Sequence, residues 1–135
     1  MAVLIDTDVA IHLRDGEPSV RLRLDTLTGP PRISAITRVE LENGVYRHPS
    51  EVAVRRLRLD FILTRLTIID FDEAAATVYG TIVRAVGVSR PDTIDRMIAA
   101  TAILHGLTLV TMNGRDFRNL PGLTLDIWPS PTRPA

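Results

Sequence analysis

The sequence predicts an α/β protein with a central, mostly parallel β-sheet flanked by α-helices on both faces. Three observations predict it. Short apolar or β-branched runs at 3–5, 32–34, 67–69, 107–111 and 123–127 alternate with longer segments whose apolar residues recur at helical spacing. Strands joined through helices run parallel and need cover on both faces. The chain has 135 residues, 45% of them hydrophobic, which is enough for one domain with a substantial core.

Each element has a local reason. Val3-Leu4-Ile5 reads as a buried strand. Thr7 or Asp8 can cap a helix running through Ile11 to Leu13, which Gly16-Glu17-Pro18 breaks. Ser19 can cap a second helix over 20–27, ended by Thr28-Gly29-Pro30-Pro31. After the strand Arg32-Ile33-Ser34, a third helix spans 35–45, with Ile36, Val39, Leu41 and Val45 as its apolar positions. Pro49-Ser50-Glu51 opens a fourth, reaching about residue 66. The strand Thr67-Ile68-Ile69 leads through Asp70 to Asp72 into a helix ending near Val86. Pro91-Asp92 starts another, with Ile94, Met97, Ile98, Thr101 and Leu104 at helical spacing and Gly106 as its stop. The strand 107–111 precedes the turn signal Asn113-Gly114, and the strand 123–127 closes the domain. The expected organisation is one domain over 1–128, with a loose Pro-rich tail over 129–135.

Composition removes several chemistries. Formal net charge is zero, with 16 basic and 16 acidic residues, so nucleic-acid binding must rest on a local patch or a metal site. Every basic residue is arginine. A Walker-type phosphate loop and a Schiff-base mechanism therefore lack their lysine. With no cysteine, thiol catalysis, disulfides and cysteine–zinc sites are excluded, and a cytoplasmic setting is compatible. The chain opens on the strand-like 2–5, so no secretory signal is expected, and no apolar run is long enough to span a membrane.

Four carboxylates stand where a parallel sheet would gather them. Ligand sites in such sheets lie beyond the carboxyl ends of the strands. Asp6 directly follows the first strand; Glu40, Asp95 and Asp116 fall at or near later helix starts or turns. Gathered acids repel one another unless a cation neutralises them, and oxygen ligands suit Mg²⁺ or Mn²⁺. Each acid also has an ordinary structural reading. Asp6 or Asp8 can cap the first helix. Glu40 completes a capping box with Thr37 unless Ser34 is the cap. Asp95 suits the dipole of a first turn, although Ile94, Met97 and Ile98 beside it read as buried. Asp116 suits a turn or cap, and Asn113 offers a carbonyl oxygen at the same corner. Thr7 and Thr111 can hold a carboxylate or a water in place. Glu42 points elsewhere around its helix, and His12, His48 and His105 are too scattered for a zinc triad. Arg55, Arg56, Arg58 and Arg65 can contact phosphates but first suit a solvated helix face.

Four segments in order, Leu4-Ile5-Asp6-Thr7-Asp8-Val9, the run 33–44 around Glu40, the run 95–102 after Asp95, and Leu109-Val110-Thr111-Met112-Asn113-Gly114-Arg115-Asp116-Phe117, resemble the PIN-domain ribonucleases. More narrowly, they resemble the VapC toxins of bacterial toxin–antitoxin pairs. The resemblance spans 3 to about 127. It implies a PIN-like fold and a Mg²⁺- or Mn²⁺-dependent endoribonuclease in the bacterial cytoplasm. It also implies a homodimer, held inactive by a VapB-type antitoxin that supplies any contact with operator DNA. The family's acids map onto Asp6, Glu40, Asp95 and, at the fourth position, Asp116 with Asn113 as helper; Asp8 stands where many relatives carry asparagine. Apolar and arginine-bearing helices between Val20 and Leu66 are the candidate partner surface.

The ligands imply a mechanism. A held cation lowers the pKa of a bound water and neutralises the scissile phosphate. Attack in line with the leaving 3′ oxygen then gives a 5′-phosphate and a 3′-hydroxyl. Two alternatives compete. Asp6-Thr7-Asp8-Val9 also fits the opening motif of haloacid dehalogenase-type phosphatases, although the chain is short for that fold. The same fold can also act as a catalytically silent module within an antitoxin–DNA complex.

Overall fold

The computed structural model describes residues 2–131. Five strands, β1 (Val3–Ile5), β2 (Arg32–Ser34), β3 (Thr67–Ile69), β4 (Thr108–Thr111) and β5 (Thr124–Ile127), pair in the order β3-β2-β1-β4-β5. Every pairing is parallel, and Leu4 sits opposite Arg32 on one side and Leu109 on the other. The chain builds outward from β1 through β2 to β3, then returns across β1 to add β4 and β5. Connections leaving β1 and β4 therefore run to opposite sides, and a crevice opens between their carboxyl ends.

Alternation along each strand feeds two cores. Val3, Ile5, Ile33 and Val110 enter the layer beneath α1 (Thr7–Arg14), α2 (Pro18–Asp25), α3 (Ala35–Tyr46) and α4 (Val52–Leu63). Leu4 and Leu109 enter the opposite layer, beneath α5 (Glu73–Val86) and α6 (Thr93–His105). Trp128 is buried in the first layer, its ring facing the Arg23 guanidinium at 5.5 Å.

Helix starts depart from expectation where another polar group takes the cap. Of the three expected candidates Asp6, Thr7 and Asp8, it is Asp6 that caps α1. Glu17, not Ser19, caps α2; Ser19 Oγ instead donates to Glu17 Oε1 at 3.1 Å, and Pro18 occupies the first helical position. The single helix expected from 49 to about 66 is a 3-10 turn, Pro49–Glu51, followed by α4, which stops at Leu63 as Thr64 Oγ1 donates to Phe61 O at 2.7 Å. Asp92 bonds Ser89 Oγ at 2.6 Å within the 3-10 turn Arg90–Asp92 and leaves the start of α6 without a side-chain cap. β4 begins at Thr108 because the Leu107 N–H closes α6 through Ala102 O at 2.9 Å. Ile94 is 41% exposed, contrary to the expected burial, while Ile98 is fully buried. Of the expected tail 129–135, positions 132–135 lie outside the described residues. Among the described residues no helix is long and apolar enough to cross a membrane.

Ser34 ends β2 and caps α3, its Oγ accepting the Ile36 N–H at 3.1 Å. Ser34→Ala is expected to lower the unfolding free energy by about 1 kcal/mol. Urea denaturation measures this, and an unchanged midpoint would mean that the Ile36 N–H finds another acceptor.

Candidate active site

The pairing of β1 with β4 continues one residue beyond β1, where the Asp6 N–H donates to Val110 O at 2.9 Å. This seats Asp6 beside Thr111 at the bottom of the crevice. Asp6 is only 4% exposed. One carboxylate oxygen accepts the Thr7 N–H at 2.7 Å, and the other accepts the Thr111 hydroxyl at 2.9 Å. Asp6 thus caps α1 and lies at the bottom of the crevice at once, so the cap and the candidate-site readings do not compete. Thr111 Oγ1 also accepts the Asn113 N–H at 3.0 Å, so one buried threonine orients both the acid and the turn that carries Asn113 and Asp116.

Because Ser34 caps α3, Glu40 is free of a capping box. It lies well inside the helix and accepts the Thr7 hydroxyl at 2.6 Å. Thr37 Oγ1 lies 3.1 Å from Thr7 Oγ1, and since the Thr7 proton goes to the carboxylate, Thr37 is the donor in that pair. Thr37 is fully buried and was not among the expected site residues. The i, i+3 spacing that imitates a capping box also puts Thr37 and Glu40 on one helix face, and that was its only signal.

Asp95, in the first turn of α6, is half-buried. Its carboxyl is pushed up to about 7 by burial first, then by the charges of Asp6, Asp116, Glu40 and Asp8. The Asp6 carboxyl is pushed up to about 6 by burial, with Asp8 and Glu40 adding repulsion and the bonds from Thr111 and Thr7 working against it. Five acids from four separate segments are therefore within electrostatic reach of one another. Asp116 and Asn113 are exposed at the rim, where Asn113 Nδ2 donates to Asp116 Oδ2 in a short hydrogen bond. Asp8 is exposed, and together with Asn113 and His12 it lines a cavity beside the crevice.

Other candidates lie outside this cluster. Glu42 binds Arg38 at 3.0 Å and Arg56 at 2.7 Å. Arg56 also binds Asp60, Arg55 donates to Gly44 O at 2.8 Å, and Arg65 lies over the Phe61 ring. His48 and His105 sit at the distal ends of α3 and α6.

The donor set fits a hard cation. Every charged candidate is a carboxylate, and burial with mutual repulsion leaves Asp6 and Asp95 in need of positive charge. Among the described residues no three acids are gathered tightly enough to enclose an ion unaided. An ion held here would have to keep part of its water shell, as Mg²⁺ commonly does and closed structural zinc does not.

Comparison with known proteins agrees with this fold. The PIN domain family matches residues 3–123. The tRNA(fMet)-specific endonuclease VapC of Shigella flexneri is 34% identical over 129 residues, covering 93% of this chain and 96% of the relative. Ribonuclease VapC2 of Rickettsia felis is 31% identical over 134 residues, covering 95% and 98%. Among solved structures, VapBC2 from Rickettsia felis bound to a DNA fragment from its promoter aligns with a TM-score of 0.83 at 29% identity, covering 95% of this chain and 99% of that one. The opening Asp6-Thr7-Asp8 therefore begins a PIN domain and not a haloacid dehalogenase-type phosphatase.

Proposed function

The chain belongs to the PIN-domain family and, within it, to the VapC ribonucleases of toxin–antitoxin pairs, and from that premise we propose how its site cuts RNA. Asp6, Glu40, Asp95 and Asp116 would hold Mg²⁺ or Mn²⁺, with Thr7, Asp8, Thr111 and Asn113 in support. The observation that carries this reading is the convergence of acids on Asp95, which folding alone does not reward.

A bound ion supplies a water of lowered pKa and neutralises charge on the scissile phosphate. The chain's own residues fix the geometry. Thr111 and the Thr7 N–H hold Asp6, the Thr7 hydroxyl holds Glu40, and Asn113 holds Asp116. Water attacks phosphorus in line with the 3′ oxygen, so the RNA 2′-hydroxyl takes no part. Preference for RNA then comes from strand shape and single-strandedness. The products carry a 5′-phosphate and a 3′-hydroxyl, and end-group analysis tests this; a 2′,3′-cyclic phosphate would refute it. Thr7→Val leaves the α1 cap in place but frees Glu40, and is expected to slow cleavage about 10- to 100-fold at unchanged circular dichroism.

The same reading supplies the partners. The protein works as a bacterial cytoplasmic homodimer, with 1–128 as one domain and 129–135 as a tail, and it is neutralised by a VapB-type antitoxin that makes any operator contact. A groove of about 320 Å³, lined by Leu13, Leu24, Phe61, Ile62 and Leu66 together with Arg21 and Arg65, is the proposed antitoxin seat. It falls largely within the segment expected from the sequence.

A further inference from the structure

Among the described residues, two arginines beside the acids have no partner. The guanidinium groups of Arg115 and Arg118 make no ion pair, hydrogen bond or ring contact among the described residues, and both side chains are exposed. They flank Asp116, Arg115 within the 3-10 turn Gly114–Phe117 and Arg118 directly after it. The turn is firmly anchored. Phe117 is 2% exposed, and a Cβ at Gly114 would come within 2.3 Å of Ile127 Cδ1. Asn119 then takes a left-handed backbone (φ 65) that turns the chain away.

A third arginine completes the group. Arg96 follows Asp95 in α6 and is 8% exposed. Its Nη1 donates to Gly87 O at 2.7 Å, and Nη2 lies 3.9 Å from Asp92. Arg96, Arg115 and Arg118 line one surface cavity of about 290 Å³ together with Asp116 and Asp92. Three cations there outnumber two acids. Of the arginines on and just after α4, Arg55, Arg56 and Arg65 are by contrast already engaged within the fold.

We propose that this cavity binds the phosphodiester next to the scissile one in the RNA strand. The inference rests on the nuclease reading and adds the residues that seat the substrate. A strand crossing the crevice carries one negative charge per nucleotide, and the acidic cluster repels each phosphate that the ion does not neutralise. A cationic cavity that shares Asp116 with the cluster is where the neighbouring phosphate gains most. Guanidinium matches phosphate oxygens in bidentate fashion, so Arg115 and Arg118 grip while the anchored Arg96 supplies charge from the wall.

The test compares wild type, Arg115→Ala, Arg118→Ala, their double variant and Arg47→Ala, an exposed arginine outside the cavity. Binding of a short fluorescent oligouridylate is followed by anisotropy in EDTA from about 50 to 200 mM salt. Cleavage of RNA is followed with Mn²⁺. The double variant should bind about 10- to 100-fold more weakly and lose about 1.4 from its salt slope, near 0.7 for each lost contact. Its KM should rise while kcat stays within about twofold. Arg47→Ala should match wild type, and melting temperatures should agree throughout. The proposal is overturned if the double variant loses no more affinity and slope than Arg47→Ala, or if kcat falls at constant KM. If the binding loss appears but wild type cuts no RNA, the phosphate seat stands and the nuclease reading fails.

Discussion

Asp6→Asn and Asp95→Asn should each lower RNA cleavage by on the order of a thousandfold or more, to the level of the EDTA control. Asparagine keeps the shape of aspartate but removes the charge that holds a cation. At position 6 it should also keep the fold, because asparagine caps helices as well as aspartate does and still offers groups to the Thr7 N–H and the Thr111 hydroxyl. Loss of activity in a folded Asp6→Asn protein therefore reports on chemistry. The check is a single-turnover cleavage rate beside a melting curve. A variant that melts normally and still cuts within tenfold of wild type would remove Asp6 from the site.

The second large effect is on stability. In metal-free protein the carboxyls of Asp6 and Asp95 are raised to about 6 and about 7, by burial first and neighbouring acids second. Between the ordinary carboxylate range and these values the folded state binds more protons than the unfolded state. The stabilisation from these protons is complete below about pH 4 and is lost as pH rises through 6 and 7. Between pH 4 and 8 in EDTA, these two acids should therefore cost the protein on the order of 3 kcal/mol. Most of this comes from Asp6, since Asp95 is half-exposed and screened. Asp6→Asn should flatten the profile and, at pH 8 in EDTA, be more stable than wild type by about 1–3 kcal/mol. Mg²⁺ or Mn²⁺ favours the ionised acids and should restore the wild type at pH 8. Urea titrations across pH, with and without metal, measure all of this. A metal-free wild type that gains stability from pH 5 to 8 would contradict it.

Much of the fold, and the gathering of the candidate acids, was legible before the structure. All five strands lie where apolar runs meet Gly, Pro or Asp punctuation, and a parallel sheet leaves few places for the acid that follows the first strand. Asp6 stood out because a carboxylate at the end of a buried strand conflicts with folding alone. The helix caps were less legible. Several polar groups compete for the same N–H groups, and tertiary packing chooses between Asp6 and Thr7, Glu17 and Ser19, or Ser34 and Thr37. The choice of Ser34 mattered most, since it frees Glu40 for the crevice. Thr37 stayed hidden because its hydroxyl meets Thr7 across 30 residues of chain. The arginines between 55 and 65 attracted notice through their density, yet most are engaged in the fold; Arg115 and Arg118 neighbour Asp116 in sequence, but only the fold gathers them with Arg96 around one cavity.

The most direct test of the central claim is cleavage of total RNA by antitoxin-free protein in Mg²⁺ or Mn²⁺ and in EDTA, with Asp6→Asn and Asp95→Asn alongside. Metal-dependent fragments with 5′-phosphate ends, absent in EDTA and in both variants, are the predicted result. Fragments that persist in EDTA or in either folded variant would contradict a metal-dependent site built on Asp6 and Asp95.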